Sequence, residues 1–157
     1  MDYAEGIYMG YRYYETVAAD LGAAGEDWYD ANTTYSFGHG LSYTRFAYGE
    51  PVVKQTGKYD FTVTLDVTNE GEVDGDEVVQ LFVRDVCSSI VTPDRELRAF
   101  RRVHIPAGQT KSVTLTLNFD SFKLLDRRYE WVVEPGDFEI LIGASSTDIR
   151  QTTVITL

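Results

Sequence analysis

Apolar and polar residues alternate with a period of two from about Tyr43 onward, and turn-forming residues interrupt the alternation at short intervals. The clearest segment is KYDFTVTLDVTN, in which aspartate and threonine separate the apolar residues. The positions that share its apolar face are Tyr59, Phe61, Val63, Leu65 and Val67. A sheet with one buried face requires this alternation, so the segment predicts a β-strand.

The segments that follow predict further strands. DEVVQLFVRD is apolar at both sets of alternating positions, which predicts a central strand covered on both faces. In ELRAFRRVHI the alternation breaks between Phe100 and Val103, as it does at a β-bulge. Two later segments predict inward faces formed by Val113, Leu115, Leu117 and Phe119, and by Phe138, Ile140 and Ile142. Six or seven short strands without a long helical period predict an all-β fold, an immunoglobulin-like two-sheet sandwich.

The first 34 residues differ from the rest in being rich in tyrosine, alanine and glycine. Residues 18–24 favour a helical turn or two, which Gly22 and Gly25 weaken. The segment is too short to form a domain by itself. We therefore expect an irregular N-terminal arm, either lying on the sandwich or belonging to a larger unit.

The charge balance bears on the partners of the chain. Its formal charge is −11, from 25 acidic and 14 basic residues among 157. Nucleic acids and anionic membranes are bound through clustered lysine and arginine, so we expect neither as a partner. Cys87 is the single cysteine, which excludes an intrachain disulfide. A domain of this size needs no disulfide, so the compartment stays open between the bacterial cytoplasm and secretion with a parent protein.

Four stretches, in order, cover nearly the whole chain and carry a family resemblance. They are EGIYMGYRYYE, FGHGLSYTRF, GDEVVQLFVRDVCSSIVTPDRELRAFRRVHIPAGQTKSVTLTL and VEPGDFEILIGASSTDI. Together they resemble glycoside hydrolase family 3, the family of β-glucosidases and β-xylosidases. The resemblance implies a fibronectin type III-like β-sandwich over residues 43–157. It also implies that residues 1–42 are the tail of a neighbouring α/β sandwich domain plus a linker, with a final strand over residues 1 to about 15.

The same resemblance sets the functional expectation. Family members hydrolyse terminal β-linked sugars with retention, using an aspartate nucleophile on a barrel and a glutamate acid/base on the α/β sandwich. The Ser-Asp-Trp setting of the nucleophile does not occur in this sequence, and none of the family's catalytic residues maps onto it. We expect a non-catalytic structural region whose partners are the catalytic domains of its parent. The alternatives are an accessory carbohydrate-binding module, or a free-standing domain that forms a homo-oligomer through its arm.

The loop FGHGLS is the most conspicuous candidate for chemistry, because His39 stands between two glycines among aromatic residues. The family usually has tyrosine at this position, which favours a flat ring with a polar tip over a catalytic group. A catalytic imidazole needs a nucleophile or a second base held by rigid neighbours, and flanking glycines provide the opposite. A phosphate cradle would need a strand-to-helix context that the loop lacks. We expect a join between two units, anchored by Phe37, Leu41, Tyr43 and Phe46.

Metal and sugar sites are the remaining possibilities for chemistry in this sequence. DVTNEGEVDGDE approaches the spacing of a calcium-binding EF-hand loop, but its flanks alternate as strands where helices are required, so we expect a hairpin connection and no metal or cofactor. The remaining candidates are aromatic or amphipathic side chains that suit either domain docking or sugar contact. They are Tyr8, Tyr11, Tyr13, Tyr14, Trp28, Phe37, His39 and Tyr43. Docking is the favoured interpretation.

Overall fold

The computed structural model describes residues 6–157 of the chain. Helix α1 spans Tyr11–Leu21, a 3-10 turn spans Gly22–Ala24, and helix α2 spans Gly25–Asn32. Within the described residues, the remaining elements are β1 (Phe46–Tyr48), β2 (Val52–Gln55), β3 (Phe61–Asn69), β4 (Gly75–Asp85), β5 (Glu96–Ile105), β6 (Thr110–Leu117), α3 (Phe119–Phe122), β7 (Leu124–Leu125), β8 (Trp131–Val132), β9 (Asp137–Gly143) and β10 (Ile149–Thr156).

The strands form two antiparallel sheets and a small hairpin. In the first sheet, β1 and β2 pair with opposite ends of β3, and β6 pairs with β3 on its other side. The second sheet has the order β10-β9-β4-β5, and β7 pairs with β8. The prediction of an all-β, two-sheet sandwich is therefore confirmed.

Alternation along the strands builds the core between the sheets. The inward face of β3 is buried as predicted, from Phe61 to Val67. Opposite it, Phe138, Ile140 and Ile142 of β9 are buried in the same cluster. Phe119 is an exception, because the chain turns into α3 after β6 and leaves that ring 37% exposed against Tyr59.

Strand β4 is covered on both faces, as its sequence predicts. Val79, Leu81 and Val83 pack in the core between the sheets. On the opposite face, Gln80 and Phe82 are also buried, whereas Val78 near the start of the strand is 38% exposed, so the second face is covered only in part. The N-terminal arm provides that second cover, so the apolar outer face of β4 is the sequence signature of the docked arm.

Two connections differ from the predictions. The bulge in β5 falls at Arg98, because Leu81 pairs with Ala99 and Phe82 pairs with Leu97, and not between Phe100 and Val103. The segment after β3 is not a hairpin turn, since β3 and β4 belong to different sheets and residues 70–74 cross between them. Alternation is a local signal, so it located the six longer strands without showing which of them pair. It did not indicate the short strands β1, β2, β7 and β8, which have two to four residues each.

The arm is helical where an irregular arm was predicted. The expected final strand over residues 1 to about 15 is also wrong for residues 11–15, which begin α1, while residues 1–5 lie outside the described part. Gly22, at a φ of 56°, ends α1. Helix α2 then packs closely against α1. A Cβ on Gly25 would lie 2.0 Å from the carbonyl oxygen of Ala18. The two glycines allow the helical hairpin instead of weakening it.

Candidate functional site

Tyr11 makes the central contact between α1 and the sandwich. Its ring stacks on Phe37 with centroids 4.3 Å apart and meets the edge of Phe82 at 6.2 Å. Its hydroxyl accepts a hydrogen bond of 2.8 Å from the backbone N–H of Leu97 in β5. Because β5 is an edge strand, this contact also occupies part of an otherwise open sheet edge.

Polar contacts fix the orientation of α1 along that edge. The hydroxyl of Thr16 accepts a hydrogen bond of 2.9 Å from the backbone N–H of Asp94. Arg12 forms an ion pair of 2.8 Å with Glu96 at the start of β5. Both partners of the ion pair are partly exposed, so it contributes about 0–1 kcal/mol. Its effect is on alignment more than on stability.

Glu15 is a buried acid at the junction of the two helices and the sandwich, with 4% of its surface exposed. The hydroxyl of Tyr29 in α2 donates a hydrogen bond of 3.0 Å to its carboxylate. Burial raises the pKa of Glu15, while the nearby Arg95 guanidinium favours the ionised form. Burial and the charge of Glu15 together raise the pKa of Tyr29 to about 12. This acid–phenol pair holds α1 to α2 against the sandwich.

The loop after α2 continues the contact. The backbone N–H of Ser146 donates to the carbonyl of Phe37 at 2.9 Å. The Gln80 side chain donates to the carbonyl of Ala144 at 2.5 Å and to that of Gly38 at 3.4 Å. Gly38 has a φ of 81°, a conformation that favours glycine. The loop is thus held in one path between the arm and β1.

Beyond Gly38, the loop turns its largest side chains to solvent. Leu41 is 94% exposed and Tyr43 is fully exposed, so the prediction that they anchor the join within this chain is wrong. Phe37 and Phe46 do anchor it, the first by stacking on Tyr11 and the second by packing against the core. Large apolar groups held outward on a tethered loop suit a contact with another protein surface. We name residues 41–43 the exposed loop.

The other aromatic candidates lie on the arm and at its base. Tyr13, Tyr14 and Trp28 form one cluster, with ring centroids between 5.3 and 6.2 Å apart. Tyr8 precedes α1 and is half-buried. The packing of α2 on α1 brings these three rings together, since Trp28 lies on α2 and the two tyrosines lie on α1. The sequence had shown only a local enrichment in aromatic residues. Whether they contact a second domain or a sugar stays a prediction.

A cleft of about 640 Å³ separates the arm from the sandwich. Its lining includes Glu15, Glu26, Asp30, Tyr35, His39 and Arg95. The ring of His39 stacks on Tyr35 with centroids 5.1 Å apart, so it serves as a flat ring in this structure. Within residues 6–157, no group of three or more His, Cys, Asp or Glu side chains is placed to hold a metal ion. No helix of that same part of the chain is long and apolar enough to cross a membrane.

Glu15, Tyr29 and Arg95 were not singled out from the sequence. One signal was available for α1, because Tyr11, Glu15 and Ala18 follow the i, i+4, i+7 spacing of a single helix face. The positions of Tyr29 and Arg95 had no comparable signal. They lie 14 and 80 residues from Glu15, and only the folded chain brings them to it.

Comparison with known proteins agrees with the architecture. Residues 77–146 match the fibronectin type III-like domain family. Thermostable β-glucosidase B of Acetivibrio thermocellus is 39% identical over 153 residues, which are 95% of this chain and 19% of that protein. An exo-α-(1→6)-L-arabinopyranosidase of Bifidobacterium longum is 36% identical over 158 residues, covering 100% of this chain and 19% of its own length. The crystal structure of a family 3 β-glucosidase of Bifidobacterium adolescentis superposes with a TM-score of 0.87 at 37% identity, over 99% of this chain and 22% of that one.

The two-sheet topology and the matching family define this chain as one that carries a fibronectin type III-like domain. The chain spans about a fifth of the length of the curated relatives it matches, since the aligned share is 19%. It corresponds to the fibronectin type III-like region of glycoside hydrolase family 3 enzymes.

Proposed function

We propose that this chain is a non-catalytic accessory region of a family 3 glycosidase, and that it holds the catalytic domains of its parent in a fixed orientation. One observation carries the proposal. The arm and the loop after it are fixed to the sandwich by named contacts, whereas the exposed loop between them and β1 presents Leu41 and Tyr43 to solvent. A rigid mount with an outward apolar contact is what a docking region requires.

The relatives support a role separate from sugar selection. A β-glucosidase and an α-L-arabinopyranosidase share this region at 39% and 36% identity, although their names give different substrates. Their remaining four-fifths is long enough to contain the catalytic domains that the family resemblance implies. Sugar specificity is therefore assigned to the domains that this region supports.

The exposed loop is the surface through which we propose that docking occurs. Burying a Leu side chain contributes about 1.5–3 kcal/mol relative to leaving it in water, and a Tyr ring adds further apolar area. Leu41 and Tyr43 gain none of this within the chain, because both are almost wholly exposed. The occupant that we propose is the catalytic part of the same polypeptide, because the family resemblance implies that the arm before this loop is the tail of a neighbouring domain.

A chimaera tests this proposal. The chain replaces the matching segment of the thermostable β-glucosidase of Acetivibrio thermocellus, and Leu41→Asp and Tyr43→Asp are introduced together. We expect the double variant to shorten the half-life of β-glucosidase activity on heating, because two buried apolar contacts become charged. The initial rate at moderate temperature should change little, since neither residue is proposed to touch the substrate.

Two controls make the result specific. In the isolated chain, the same double variant should leave the urea unfolding midpoint unchanged, because both residues are exposed there. Tyr129→Asp in the chimaera, at a tyrosine that is 84% exposed, should leave the half-life unchanged. Equal half-lives for the double variant and the unmodified chimaera would refute docking through this loop, and hydrolysis of β-glucosides by the isolated chain would refute the non-catalytic role.

A further inference from the structure

The cleft between the arm and the sandwich has features that docking does not explain. Its volume of about 640 Å³ lies within the range of about 300–1,000 Å³ that is usual for small-molecule sites. Leu41 and Tyr43 of the exposed loop are not among its lining residues. Its lining is polar and aromatic, which suits a hydrophilic ligand better than a protein contact.

Charged groups of both signs line the cleft. Glu26 and Asp30 lie four residues apart on α2, so they share one helix face. Arg95 reaches the cleft from the sandwich, and its guanidinium donates to Asp94 at 2.7 Å and to the carbonyl of Ser146 at 2.9 Å. These two bonds hold the guanidinium in place and leave other N–H groups for a ligand.

Glu15 forms the inner wall of the same cleft. It is more than nine-tenths buried, with 4% of its surface exposed, and it accepts the Tyr29 hydroxyl at 3.0 Å. A buried carboxylate is costly unless donors satisfy its lone pairs. A ligand hydroxyl in the cleft would supply such a donor. The site thus combines a held guanidinium with a buried acceptor.

Tyr35 and His39 supply a flat surface at the rim. Their rings stack at 5.1 Å with an interplanar angle of 24°, and Tyr35 is nevertheless 73% exposed. One face of the Tyr35 ring is covered by the imidazole, so the exposed surface includes the other face. Aromatic faces of this kind pack against the C–H faces of pyranose rings.

We propose that this cleft binds a neutral sugar of one or two units. A sugar hydroxyl can donate a hydrogen bond to a carboxylate and accept one from a guanidinium, because each hydroxyl is both a donor and an acceptor. An anion would be repelled by three carboxylates, and a cation would meet Arg95. The site goes beyond the scaffold role and does not depend on it, because it needs only the arm and the sandwich.

The test is a titration of the isotope-labelled full chain with glucose, cellobiose and xylobiose, followed by NMR chemical shifts. We expect saturable shifts in the millimolar range for Ser36, Thr147 and the two rim residues, all of which line the cleft. Tyr35→Ala should weaken binding about threefold to tenfold, because it removes the stacking surface. Glu26→Gln should weaken it as well, while urea unfolding of both variants stays as in the parent chain.

The matched control is Tyr129→Ala, which removes another exposed tyrosine that lies outside the cleft. It should bind sugar as the parent chain does. Absence of saturation for all three sugars would overturn the proposal, as would an equal loss of binding in the control. A parallel titration with calcium chloride and with putrescine covers the cationic alternative. Saturation by either one at the cleft residues, without a response to sugar, would assign a cation site and also overturn the proposal.

Discussion

Glu15 shows how one side chain joins three parts of the molecule. It stands on α1, accepts from Tyr29 on α2, and faces Arg95 at the start of the second sheet's edge strand. Burial raises its pKa, so the ionised form is less favourable in the folded chain than in the unfolded chain. The cost of that charge is the reason to expect a pH dependence at this position.

The first residue-scale prediction concerns Glu15→Gln, which keeps an acceptor for Tyr29 and removes the ionisation. A raised folded pKa means that the folded state retains its proton longer, so stability falls as pH rises from the ordinary value of 4.5 towards the raised value. The free energy of unfolding of the parent chain, minus that of the variant, should decrease over this interval and then level off. Urea unfolding of both proteins at a series of pH values measures this difference in the free energy of unfolding. A difference that does not vary with pH would contradict the raised pKa.

The second residue-scale prediction compares two glycines of one loop. Gly38 has a φ of 81°, and a Cβ there would lie 2.3 Å from the amide of Gln80, whereas a Cβ on Gly40 meets nothing within 4 Å. Gly38→Ala should lower the free energy of unfolding by about 1–2 kcal/mol. Gly40→Ala should change it by less than about 0.5 kcal/mol. Equal effects in denaturant titrations would show that the loop path is not fixed at Gly38.

At the scale of elements, the arm and the outer face of β4 bury each other. The outer face of β4 is apolar because α1 and its loop cover it, and α1 keeps its position because β4 presents Phe82 to Tyr11. Helix α1 has no side-chain cap at its N-terminus and is only 11 residues long. Isolated helices of that length are marginal in water, so packing on the sandwich stabilises this one.

The element-scale prediction uses sandwich amides whose acceptors lie on the arm. The N–H groups of Asp94 and Leu97 donate to Thr16 and Tyr11. In Tyr11→Ala, hydrogen exchange of both amides should accelerate, because the arm loses its central contact. Exchange of Leu81, in the middle of β4, should change much less. Unchanged protection of Asp94 and Leu97 in the variant would mean that the arm is held by other contacts.

At the scale of the whole molecule, the described part of the chain has two different exposed features. The exposed loop offers apolar side chains, and the neighbouring cleft offers charged and aromatic ones. The chimaera tests the first feature and the sugar titration tests the second, so the result for one proposal does not affect the other. A homo-oligomer through the arm also stays a prediction. Helical hydrogen bonds satisfy the backbone of α1 and α2, so self-association there would use side chains instead of strand pairing.

The sequence by itself determined the six longer strands, β3, β4, β5, β6, β9 and β10, because a period-two alternation is a local property that survives without knowledge of neighbours. It also indicated, through the two apolar faces of β4, that something covers the second sheet. Only the tertiary structure decided what that cover is. Propensity over residues 11–32 was ambiguous, and the structure has two helices there, with Tyr11 of α1 against Phe82 and α2 packed on α1. Glu15 meets Tyr29 and Arg95 across 14 and 80 residues, and contacts at such separations arise only when the chain has folded.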